Sequence, residues 1–221
     1  MRPFTLLIAL FALLFSACET TSSTADSVTD AVTETATDAA NTAQNAISDA
    51  AEAASELMKG ENYEVKVIDD KIKSPRKELT GEIAGVPVTI NYGSPAVNDR
   101  VIYGDLVPYE KVWRTGANEA TRITFGEDVK VGTEGTVLKA GTYSLFTLPA
   151  SKEEWTIIFN KVADQWGAYD YEDSSDAARV SGSSAAASAK AERMDFVLAG
   201  NEIRFMWDDL MVSFPVDAAS K

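Results

Sequence analysis

Val112 to Phe125 reads VWRTGANEATRITF and sets Arg114, Asn118 and Glu119 around a Gly116-Ala117 step. These residue types fit two chemistries. The planar guanidinium of Arg114 can take the Glu119 carboxylate in paired hydrogen bonds, with Asn118 satisfying the turn backbone. Alternatively, the same groups line a pocket and supply the polar edges that fix a small ligand. The Gly116-Ala117 step clears space beside Asn118 that a closed ion pair does not require, which favours the pocket.

A pocket of this kind needs aromatic faces as well as polar edges. NYGSPAVNDRVIYG offers Tyr92, Arg100 and Tyr103, and ADQWGAYDYED offers Trp166, Tyr169 and Tyr171. Rings of this type bury the apolar face of a sugar or small polar metabolite while arginine, amide and carboxylate groups fix its hydroxyls. The expected ligand-binding set is therefore Tyr92, Arg100, Tyr103, Arg114, Asn118 and Glu119. The Trp166 to Tyr171 segment either joins it or clamps one end of the domain.

The chain contains no histidine. That excludes Ser-His-Asp and Cys-His catalysis and every imidazole metal site. A hydrolase would have to work with two carboxylates about 5 to 9 Å apart, Glu119 with Asp170 or Asp173. The Glu172-Asp173…Asp176 run lacks the glycine and ligand spacing of a calcium loop, so neither a metal nor a cofactor is expected. The net charge of −14 repels phosphate backbones and excludes nucleic acid as a partner.

The elements that must hold these residues are short and alternate with period two. VPVTINY places Val86, Val88, Ile90 and Tyr92 on one face, with Pro87 marking an edge or a strand start. EWTIIFN, EIRFMW and LMVSFPV follow the same rule, and YEVKVID, EATRITF, TYSLFTL and ERMDFVL bring the expected strands to at least eight. In EATRITF the alternation puts Glu119 on the core side with Thr121, Ile123 and Phe125. NEIRFMWDDLMVSFPV reads as a hairpin turning at Asp208-Asp209, and SSAAASAK as a short helical turn or the start of a strand. The fold class is all-β: an antiparallel β-sandwich or jelly-roll-like domain over residues 61–221.

Ahead of it, residues 1–17 form a secretory signal, with Arg2 before an apolar run from Phe4 to Phe15 that is too short to span a membrane as a mature helix. Ser16-Ala17 before Cys18, the only cysteine, resembles a bacterial lipobox, although Phe15 replaces the usual leucine. Cys18 is the expected lipidation site, tethering the protein to a membrane in the periplasm or at the outer membrane. Residues 18–60 are an acidic Ala- and Thr-rich tether. After Cys18 it carries eight acids against Lys59, and an alanine stripe with helical spacing makes it either a marginal helix or a flexible linker.

YGDLVPYEKVWRTGANEATRITF, followed by LKAGTYSLFTLP and EWTIIFNK, resembles the bacterial secreted and lipoprotein family catalogued as domain of unknown function 2911. The similarity extends through most of Ser74 to Val216. It implies a small extracytoplasmic β domain and supplies no catalytic residues. Three function classes stay open: a binding module for a small polar ligand or carbohydrate, a carboxylate-dependent hydrolase acting on a glycan, and a structural envelope protein without a pocket.

Overall fold

The computed structural model describes residues 62–219. Cys18, the signal segment and the whole of the tether lie outside the described residues. Ten strands make up the domain: β1 Tyr63–Asp69, β2 Arg76–Ile83, β3 Val86–Gly93, β4 Thr121–Phe125, β5 Val129–Val131, β6 Thr136–Leu138, β7 Gly141–Pro149, β8 Trp155–Asn160, β9 Asp176–Ala199 and β10 Glu202–Ala218. The helical content among the described residues is a single 3₁₀ turn at Asp173–Ser175. No described helix is long and apolar enough to cross a membrane.

Every strand pair is antiparallel, and the hydrogen-bonded order is β1-β2-β3-β4-β7-β8-β9-β10-β5-β6. The protein is all-β, as its alternating segments predict. Ala84 and Gly85, both at positive φ, close the β2–β3 hairpin; paired left-handed residues match the right-handed twist of the flanking strands. Pro87 marks a strand start rather than an edge, because β3 lies between β2 and β4.

β9 is the long element that joins two regions of sheet. Its first part, Asp176 to Gly182, pairs with β8, and from Ser183 onward it pairs with β10. Inward side chains from the two regions meet in the core. Tyr92 on β3 lies edge-on to Phe196 on β9 at 4.9 Å, and Phe159 on β8 meets Phe214 on β10 at 5.7 Å. Trp155 on β8 reaches Phe205 on β10 at 5.8 Å.

Two sequence expectations are corrected here. Asp208-Asp209 is not a turn: β10 runs through it, with register shifts on both sides of Asp208, whose φ is 51°. An aspartate at positive φ inside a ladder is a bulge, which bends the strand without ending it. The hairpin closes earlier, at Gly200-Asn201 between Ala199 and Glu202. SSAAASAK is neither a helical turn nor a strand start but the middle of β9, with Ser183 opposite Ser213 and Ala186 opposite Leu210.

A smaller apolar cluster of Ala120, Phe146 and Ile158 collects Val112, Leu148, Ala168 and Tyr171 around it. Tyr171 lies edge-on to Phe146 at 4.9 Å. This contact seats the 162–172 loop on β7 and β8, and so determines where Trp166 is held.

Candidate functional site

The loop between β3 and β4 is fixed at several points by its own backbone. Trp113 exchanges two hydrogen bonds with Thr147 of β7, at 2.8 and 2.9 Å. Thr121 Oγ1 donates to the Thr115 carbonyl at 2.6 Å, and the Ala117 N–H donates to the Gly93 carbonyl. A Cβ at Gly93 would lie 2.2 Å from the Ala117 carbonyl oxygen, so only glycine lets the loop come this close to β3. Asn118 sits at φ 63°, a left-handed conformation that asparagine tolerates better than most residues. The Ala120 N–H then donates to the Gln165 carbonyl, and the Gly167 N–H to the Asn118 carbonyl, which brings Glu119 opposite Trp166.

This framework divides the residues expected to form one site. Glu119 lines a cavity of about 490 Å³ together with Arg76, Asn91, Arg122, Gln165 and Trp166. Arg100, Arg114 and Asn118 line a second, of about 250 Å³, with Trp113 and Trp207. Tyr92 and Tyr103 line neither. Tyr92 is fully buried and donates to Asp195 at 2.9 Å, while the Tyr103 hydroxyl donates to the Trp207 carbonyl at 2.9 Å. Burial pushes both phenols well above the usual range, with nearby aspartates adding to the shift. Both are core tyrosines whose hydroxyls are satisfied internally.

No ion pair joins Arg114 to Glu119. β4 begins only at Thr121, so the alternation that buries Thr121, Ile123 and Phe125 does not extend to Glu119. Glu119 instead faces Arg76, whose Nη1 is 3.4 Å from its Oε2. Arg76 lies almost wholly buried on β2. Its Nε donates to the Asn91 side-chain oxygen and its Nη2 to the Asn91 carbonyl at 3.2 Å. Desolvation lowers the guanidinium pKa, with Glu119 acting in the opposite direction. Arg122, on the other side, pairs with Asp164 at 2.6 Å.

The larger cavity therefore has two arginines, two amides and three carboxylates, Asp69, Glu119 and Asp164, beside an indole that is 58% exposed. Ile68 and Ile72 add partly exposed apolar surface. Gln165 is buried, and its Oε1 has no hydrogen-bond partner. Asp170 and Asp173 do not line this cavity, so the carboxylates that share it with Glu119 are different ones. Asp176 is engaged by Tyr171, Arg179 and Asn160. Burial and the hydrogen bond to Asp176 push the Tyr171 phenol up to about 12. Among the described residues no group of three or more Cys, Asp and Glu side chains is placed to hold a metal ion.

Of the aromatic segment, Trp166 belongs to the cavity, Tyr171 to the packing under the loop, and Tyr169 to solvent at 82% exposure. Arg76, Asn91, Arg122 and Gln165 are site residues that the sequence reading missed. Arg122 reads as an outward position of EATRITF, and only a strand assignment to RKELTGEI brings Arg76 alongside Asn91.

Fold and site together define a small all-β domain with two polar cavities flanking one rigid loop. Residues 74–216, well over half of the chain, match the sequence profile of the family described as Protein of unknown function (DUF2911), and the protein belongs to that family. β1 lies outside the matched region. No curated protein and no solved structure is detectably similar to the chain.

Proposed function

We propose that this protein is a binding module for a small polar ligand of carbohydrate type, held at the bacterial cell envelope by a lipid on Cys18. The observation that carries the reading is the exposed Trp166 indole set beside the polar side chains of Arg76, Asn91, Glu119, Arg122 and Gln165. A sugar ring stacks its C–H face on such an indole and presents its hydroxyls to planar amide and guanidinium edges. The Gln165 Oε1, buried without a donor, favours a ligand rich in hydroxyl groups.

The carboxylates suit binding better than hydrolysis. The side chains of Glu119 and Asp164 are 49% and 86% exposed, and each faces an arginine, an arrangement for holding ligand hydroxyls rather than shielding an acid from water. Saturation-transfer NMR of the full chain with a panel of neutral mono- and oligosaccharides tests the proposal. A subset should receive saturation and lose it in Trp166→Ala; a panel that is silent throughout would sink the carbohydrate reading. The anchor is tested by membrane fractionation of Cys18→Ser, and a variant as firmly membrane-bound as wild type would remove the lipid from the proposal.

A further inference from the structure

The smaller cavity differs in chemistry from the one beside Trp166. Lys73, Arg100 and Arg114 line it, and no aspartate or glutamate does, in a chain whose net charge is −14. A cluster of three cations is therefore a local reversal of the protein's overall field. Arg100 is pinned, donating from its guanidinium to the Val97 and Ala96 carbonyls. Acids are close by: Asp99, Glu192 and Asp208 line a separate depression that shares Arg100. They are not among the residues around Arg114.

Two residues that line this cavity carry an unsatisfied donor. Arg114 Nε and Trp207 Nε1 are both buried without a hydrogen-bond partner, and Trp207 is only 1% exposed. Guanidinium and indole nitrogens only donate, so whatever satisfies them must bring acceptors. Buried donors left unpaired are expensive, and an anionic acceptor pairs with a guanidinium more strongly than a neutral one does. The unsatisfied atom of a residue lining the larger cavity, Gln165 Oε1, is instead an acceptor.

The remaining walls mix polar residues, Ser74, Asn98 and Asn118, with aromatic and aliphatic ones. Trp113 and Trp207 stack with centroids 5.9 Å apart and planes 15° from parallel, and Leu106, Pro95 and Ala117 add aliphatic surface. At about 250 Å³ the space falls below the ~300 Å³ at which pockets begin to hold drug-sized ligands. We infer that this cavity is a second binding site, independent of the saccharide reading, for a small organic anion: a carboxylate or phosphate carried on a flat apolar body. The anionic group sits against Arg114, with Lys73 and Arg100 adding attraction and the stacked Trp113 and Trp207 rings beside it.

Titration calorimetry of the full chain with benzoate, phenyl phosphate and neutral benzamide tests this, with the tryptophan indole N–H resonances followed by NMR. At least one anion should bind saturably and move an indole N–H signal, while benzamide should not; the tighter of the two anions identifies the carboxylate or the phosphate as the preferred group. Arg114→Gln should weaken that binding by about tenfold or more, Arg114→Lys should restore part of it, and Arg100→Gln on the exposed rim should weaken it less. Lys139→Gln removes the same charge at a remote surface ion pair with Asp128 and should leave the affinity unchanged. The inference is overturned if neither anion binds, if benzamide binds as well as benzoate, or if Lys139→Gln weakens binding as much as Arg114→Gln. Because the saccharide panel is neutral and reads out through Trp166, either proposal can fail while the other stands.

Discussion

Arg76 Nη1 lies 3.4 Å from Glu119 Oε2 across 43 residues of sequence, and the two ends differ sharply in exposure, 9% of the arginine side chain against 49% of the carboxylate. A half-exposed carboxylate is screened by solvent, so the pair itself contributes little. The buried guanidinium also serves Asn91 through both its Nε and Nη2. Glu119→Gln should therefore change unfolding free energy by under about 1 kcal/mol. Arg76→Met, which orphans the Asn91 acceptors, should cost on the order of 2 kcal/mol. Urea denaturation of the two variants measures both, and the reverse order would mean that the ion pair dominates.

Gly93→Ala should disturb both cavities at once. The new Cβ meets backbone at Ala117, not the end of a flexible side chain, so the loop must move away from β3. We expect a loss of about 1 to 3 kcal/mol, as for other overpacked sites, together with weaker binding at both cavities. Paired thermal melts and ligand titrations check it; intact binding in a destabilised variant would show that the loop adjusts without transmitting the shift.

Asp195 gives a pH dependence of unusual sign. It is hydrogen-bonded to Lys77 at 2.6 Å and to Tyr92, yet desolvation dominates and raises its carboxyl above the ordinary value. A carboxyl raised in the folded state contributes stability below the unfolded value of about 3.9, and loses it as pH rises through the folded value. The stability difference between wild type and Asp195→Asn should thus shrink as pH climbs from about 4. Denaturation curves at a series of pH values test this, and a difference that widens with pH would show that Lys77 outweighs burial.

All ten strands and the aromatic core lie within residues 62–219, so the domain should fold without the tether. A chain starting at Glu61 should melt cooperatively within a few degrees of the full chain. Loss of the transition would reveal stabilising contacts from the preceding residues.

VPVTINY and EWTIIFN are readable as strands because one face of each is apolar and buried. RKELTGEI is not, since Arg76 and Lys77 are themselves buried and satisfied by Asn91 and Asp195, partners no local pattern reveals. Charged residues at the head of β2 imitate a loop. The site shows the same limit. VWRTGANE declares a polar loop with a tight turn, but which guanidinium meets Glu119 depends on a strand 43 residues upstream. Tyr92 and Tyr103 read as aromatic faces for a ligand, but their hydroxyls find Asp195 and the Trp207 carbonyl inside the core, partners far away in sequence. The Gly200-Asn201 turn is legible as a Gly-Asn pair between two apolar runs, whereas Asp208-Asp209 imitates a turn within a continuous strand.

Trp207 belongs to β10, the last of the described strands, which also joins β5 and β6 to the rest of the sheet by pairing Val216 with Val131. During synthesis every other residue lining the smaller cavity leaves the ribosome before Trp207, from Lys73 through Asn118. A nascent chain stalled before Glu202 therefore has the cations, the loop and Trp113 without the indole on which Trp113 stacks. Anion binding at the proposed site therefore requires β10 to be in place, so such a ligand would distinguish chains that have folded this strand from chains cut before it.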